Sequence, residues 1–83
     1  MTVLEILSKL DESIEKERNM KRLCVELRES YYKEGDVEKA LKQQIEVDMY
    51  THSLANFIML KIEIEHTLDE ETSRAYEEMR ASD

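Results

Sequence analysis

The chain has 83 residues, 41% of them apolar, with 20 acidic against 12 basic side chains and a formal charge of −8. That length allows one small domain, and a disulfide within the chain is excluded because Cys24 is the only cysteine. Nucleic-acid binding is disfavoured, since phosphate contacts need clustered Lys and Arg, and the one basic group (Lys16, Arg18, Lys21 and Arg22) is interleaved with Glu15 and Glu17.

Proline is absent and Gly35 is the only glycine. Both residue types interrupt helices, so the remaining chain is free to stay helical. The spacing predicts an all-α fold: a long antiparallel helical hairpin with a short C-terminal helix, completed by self-association or by a partner. We expect one domain over 1–80, with helices at about 3–34, 37–66 and 68–80, and a disordered tail at 81–83.

The first helix opens on a capping box, Thr2 with Glu5, and Met1 and Ile6 stand where a hydrophobic staple would form. Val3, Leu7, Leu10 and Ile14 then make an apolar stripe at spacings of three and four. Residues 15–19 hold no apolar side chain, and the stripe resumes with Met20, Leu23, Cys24, Leu27 and Tyr31. With no Gly or Pro there, a continuous helix is expected. Such a helix would be about 48 Å long and must pack lengthwise against something.

Gly35 marks its end and Asp36 is a good N-cap for the next helix. Val37, Leu41, Ile45 and Met49 form one stripe on it, continued by His52, Ala55, Met59 and Ile62. From Leu54 a second stripe joins, so the helix becomes apolar nearly all round, and a helix apolar on every side is buried on every side. One flank can face the first helix. The other requires the third helix or a second chain, which makes Leu54, Phe57, Ile58, Leu60 and Ile64 the expected partner-binding residues. Thr51, His52 and Ser53 are polar enough to mark a kink or a new start, but lack the Glu or Gln that completes a capping box.

Thr67 with Glu70 makes another capping box, and Leu68, Ala75, Tyr76 and Met79 give the third helix a sparse stripe. Six acid–base pairs lie four apart with the acid first: Glu5–Lys9, Glu12–Lys16, Glu17–Lys21, Glu29–Lys33, Glu38–Lys42 and Glu70–Arg74. Each contributes about 0.2–0.5 kcal/mol to a helix.

The run Tyr31–Leu41, YYKEGDVEKAL, resembles the turn of a tetratricopeptide repeat, with Leu27, Tyr31, Gly35 and Ala40 at matching positions over roughly residues 21–52. Cys24 and Arg28 depart from that pattern, and no proline ends the second helix. The resemblance implies a hairpin that binds helices. In layout the chain is also similar to the small helical co-chaperones of type III secretion needle proteins, which begin near Met-Thr with a leucine-rich helix, as Met1, Thr2, Leu4, Leu7 and Leu10 do here. That likeness implies a protein that holds a partner chaperone and an aggregation-prone subunit.

Chemistry is poorly represented. Cys24 lies on an apolar stripe, where a small thiol packs well, and no glycine-rich loop exists to cradle a phosphate. Glu63 and His66 share a helix face at the spacing used by carboxylate-bridged metal bundles, which a dimer with Glu26 or Glu29 could complete. His52 lies about 21 Å farther along the helix and cannot join them. The sequence therefore points to a small, acidic, non-enzymatic interaction module, an adaptor or chaperone-like protein of the cytoplasm, with no cofactor. It would dock a protein partner or a second copy through an apolar helix face, without binding nucleic acid or membrane. Two alternatives stand beside it: an acidic decoy that blocks a nucleic-acid-binding protein, and a dimeric carboxylate–histidine metal bundle.

Overall fold

A computed structural model of the protein describes residues 2–68 and 70–81. Three helices account for almost all of them: α1 (Val3–Glu34), α2 (Val37–Glu65) and α3 (Glu70–Ala81), with no strand among the described residues. The long helices pack antiparallel, and the molecule measures 54 × 23 × 18 Å.

Local chemistry fixes the ends. The Thr2 hydroxyl accepts from the Glu5 amide at 3.2 Å, so the first capping residue works as the sequence implies. Met1, the other half of the expected staple, lies outside the described residues. At the hairpin, Gly35 adopts φ +79°, and two amides close the turn: Gly35 donates to the Tyr32 carbonyl and Asp36 to that of Tyr31. This paired closure satisfies carbonyls that would otherwise be orphaned, and glycine enters the left-handed region without a Cβ clash. The Asp36 carboxylate then accepts from the Lys39 amide at 3.1 Å and starts α2.

Both long helices run unbroken. At the polar triplet of α2, the Thr51 hydroxyl donates to the Val47 carbonyl one turn back, so it turns inward along its own helix instead of capping a new one. The second expected capping box fares differently. Thr67 donates to the Ile64 carbonyl at 2.7 Å, which ties it to the end of α2, and α3 begins at Glu70. Leu68 precedes this described start, and residue 69 between them lies outside the described residues. Ala81 still belongs to α3, while Ser82 and Asp83 lie outside the described residues.

The seam between α1 and α2 follows a heptad. On α1, Leu7, Leu10, Ile14, Glu17, Lys21, Cys24, Arg28 and Tyr31 alternate at spacings of three and four, and all are buried or half-buried. On α2, Ala40, Val47 and Leu54 are buried at intervals of seven, and half-buried Lys61 continues the series. A 3.5-residue repeat keeps two slightly crossed helices in contact over their full length. Ala40 is fully buried, and its small side chain lets the helices approach closely near the turn.

Half of the α1 seam is polar, and cross-helix bonds offset that. Near the turn, Arg28 donates to Gln44 at 2.5 Å and pairs with Glu29, while Gln44 donates to Asp48. At the other end, the Lys61 ammonium lies 2.6 Å from Asp11. In between, one Glu17 oxygen is buried without a hydrogen-bond partner. Of the six expected surface pairs, Glu38–Lys42 and Glu70–Arg74 form, at 3.7 and 3.2 Å.

Candidate interaction face

The stripe that sequence periodicity makes most obvious on α2 points away from α1. Val37, Leu41, Ile45 and Met49 are 53–60% exposed, His52 and Ala55 are exposed, and Met59 and Ile62 are 60% and 49% exposed. The heptad explains this. Residues 40, 47 and 54 carry the seam, and a stripe beginning at 37 and stepping by four drifts across the opposite side of the helix.

The five residues expected to bind a partner divide between the two sides. Leu54 is buried in the seam against α1, and Phe57, Ile58 and Ile64 are half-buried. Leu60 is 45% exposed. Of the expected belt only Leu54 is fully in the seam, and the more exposed apolar side chains are its neighbours on the outer face.

That surface is large for the chain. Among the described residues, twelve large apolar side chains are exposed against eight buried hydrophobic ones, and seven of the twelve are on α2. A compact monomer of this mass exposes about 5,200 Å², whereas this protein exposes 6249 Å². The excess, about 1,000 Å², compares with the roughly 800 Å² that each partner contributes to a standard protein interface. α1 adds a shorter outer patch, Met20, Leu23 and Leu27, which spans about 10 Å.

The charge around the α2 face is one-sided. Residues 43–60 contain no Lys or Arg. Lys39 and Lys42 are paired with Asp36 and Glu38, and Lys61 faces the seam. Glu46, Asp48 and Glu63 are exposed and have no ion pair among the described residues.

A second cluster lies at the far end of the hairpin, where α3 docks. Tyr76 is the one buried residue of α3, and its hydroxyl donates to Asp11. Lys61 and Arg80 both approach Asp11 and both lie over the Tyr76 ring, 5.8 and 5.6 Å from its centroid. Burial opposes the Asp11 charge, but hydrogen bonds from Lys61 and Tyr76 and the charges of Lys61 and Arg80 outweigh it and hold the carboxyl below its ordinary value. Burial, followed by the bond to Asp11, pushes the Tyr76 hydroxyl up. For Lys61, burial is likewise outweighed by Asp11, and the ammonium is held above its usual range. A groove of about 870 Å³ opens alongside, lined by both acids and bases, including Glu12, Arg18 and Arg80. The sequence stripe on α3 included Tyr76 but not its polar partners. The available signal was Lys61, the only charge in the otherwise apolar and polar-neutral run 54–62.

Cys24 is buried in the seam, and burial, followed by the nearby Glu46 charge, pushes its thiol up, so it stays protonated near neutral pH. Glu63 and His66 are both exposed, and no group of three or more His, Cys, Asp or Glu among the described residues is placed to hold a metal ion. Among the described residues, no helix is long and apolar enough to cross a membrane. Comparison with protein-family models, with curated proteins and with solved structures finds no match.

Proposed function

We propose that this protein is a small acidic helical interaction module, adaptor-like or chaperone-like, that docks a protein partner or a second copy on the outer face of α2. The observation that carries this reading is the exposed stripe from Val37 to Ile62 on a helix whose opposite side is already packed. Exposed apolar patches of this extent mark binding surfaces on soluble proteins. The mechanism is burial of a helix face, at about 25 cal/mol per Å² before the costs of association. The likeness in layout to small secretion co-chaperones supports the same class of activity.

The test is capture of the protein from its native host, followed by mass measurement of the intact complex. Wild type should carry a stoichiometric partner or a second copy. Ile45→Asp and Met59→Asp should lose it while keeping the helicity of the free protein. Variants that retain the full complex would place the interface elsewhere.

A further inference from the structure

We infer that the occupant of the α2 outer face is a basic amphipathic helix of another protein, with Lys or Arg interleaved among its apolar residues. The inference rests on the docking reading above and adds the chemistry of the partner. Its basis is the asymmetry of charge along the face. Past Lys42 the apolar side chains Met49, Met59 and Ile62 are accompanied by exposed Asp48 and Glu63, with exposed Glu46 on the flank nearer Cys24, and none of these carboxylates has a direct ion pair among the described residues. Asp48 accepts a hydrogen bond from Gln44, which in turn accepts from Arg28, so Asp48 meets a cation only through that amide and has no direct ion pair among the described residues. Covering this stripe with a neutral or acidic helix would desolvate or crowd these carboxylates, whereas ammonium or guanidinium groups at their level would match them.

The length of the face also selects a helix. From residue 37 to 62 it spans about 38 Å along a straight α-helix, so a partner of similar length can lie along it as α1 lies along the other side. A second copy fits less well. Each protomer carries −8, α2 against α2 would set Asp48 and Glu63 facing an equally acidic surface, and the outer patch on α1 covers less than a third of the stripe.

The probes are two amidated 18-residue peptides with leucine at helical spacing, one with lysine at the remaining positions and one with glutamate. Each is titrated into the isotope-labelled full-length protein, with amide shifts and affinity read at low and moderate salt. The lysine peptide should shift the outer-face amides of α2, and its binding should weaken as salt rises. Asp48→Asn combined with Glu63→Gln should weaken binding by about fivefold. Glu71→Gln combined with Glu77→Gln, the same charge change placed on α3, should leave it within about twofold. Equal weakening by the two double variants, or shifts centred on α1 or α3, would overturn the inference. If the glutamate peptide binds the stripe as tightly as the lysine peptide, or if the free protein is a dimer with that stripe buried, the docking surface stands and the basic partner falls. If Ile45→Ser binds the lysine peptide as wild type does, both fall.

Discussion

Tyr76 donates a 2.5 Å hydrogen bond to Asp11 across 65 residues of chain, and this contact joins the last helix to the start of the first. No other side chain of α3 is buried, so this ring and hydroxyl are its deepest anchor, supported by Arg80, which also reaches Asp11, and by half-buried Met79. Tyr76→Phe keeps the ring and leaves the Asp11 carboxylate one donor short. It should weaken docking by about 1.5–3 kcal/mol, the range for a bond to a charged group. Amide hydrogen exchange should then speed up in α3 and stay slow in the α1–α2 seam. Equal acceleration in both would show that α3 and the hairpin unfold as one unit.

The same cluster sets a pH window for α3. Asp11 has a folded pKa below its unfolded value of about 3.9, so its contribution is complete above that value and is lost as pH falls through the folded pKa. Lys61 and Tyr76 shift the other way. Their contributions are complete below the unfolded values of about 10.4 and 10 and disappear as pH rises through the higher folded ones. Docking of α3, followed by exchange or by Tyr76 side-chain NMR signals, should be flat from about pH 5 to 9 and fail at both extremes. With Asp11→Asn the acid limb should shrink. An unchanged acid limb in that variant would assign it to other carboxylates.

Packing along the seam separates two classes of apolar substitution. Leu7 is fully buried, and Leu7→Ala should cost about 2–5 kcal/mol. Ala40 is also fully buried where the helices approach, so Ala40→Leu should cost about 1–3 kcal/mol by overpacking. Ile45→Ser and Met59→Ser lie on the outer face and should change the stability of the free protein by no more than about 0.5 kcal/mol. Denaturant unfolding monitored by helicity would separate the two classes. A large loss from Ile45→Ser would mean that this face is packed within the free protein.

Gly35 is held in the left-handed region, with open space where a Cβ would stand. Strain is therefore the only penalty, and Gly35→Ala should cost about 1–2 kcal/mol, while Gly35→Asn should cost less. Thermal unfolding of the two variants checks the order. Equal costs would argue against a positive φ in the folded turn.

The helices were legible in the sequence because their punctuation is local. Gly35, Asp36 and Thr2 do what their residue types do in any helix, and the absence of proline left little else for the chain to form. The inward face of α2 was not legible. Its apolar residues run nearly all round, and the most regular stripe, through Leu41 and Ile45, is the outer one. The true seam is marked by Ala40, Val47 and Leu54 seven apart, interspersed with polar Gln43, Gln44 and Lys61, so a search for strong hydrophobes passes over it. Glu17, Lys21 and Arg28 hide the matching seam on α1 in the same way. The Asp11–Lys61–Tyr76 cluster joins three helices and has no local signature; only the fold brings it together.

Native methionines offer the most direct test of the claim that the outer face of α2 is a docking surface. Met49 and Met59 are each 60% exposed on that face in the free protein, and exposed methionine oxidises readily. Footprinting should oxidise both in the purified chain and protect both in the complex drawn from the native host, relative to the same chain unfolded. Equal oxidation of Met49 and Met59 in the free and assembled protein would contradict the account.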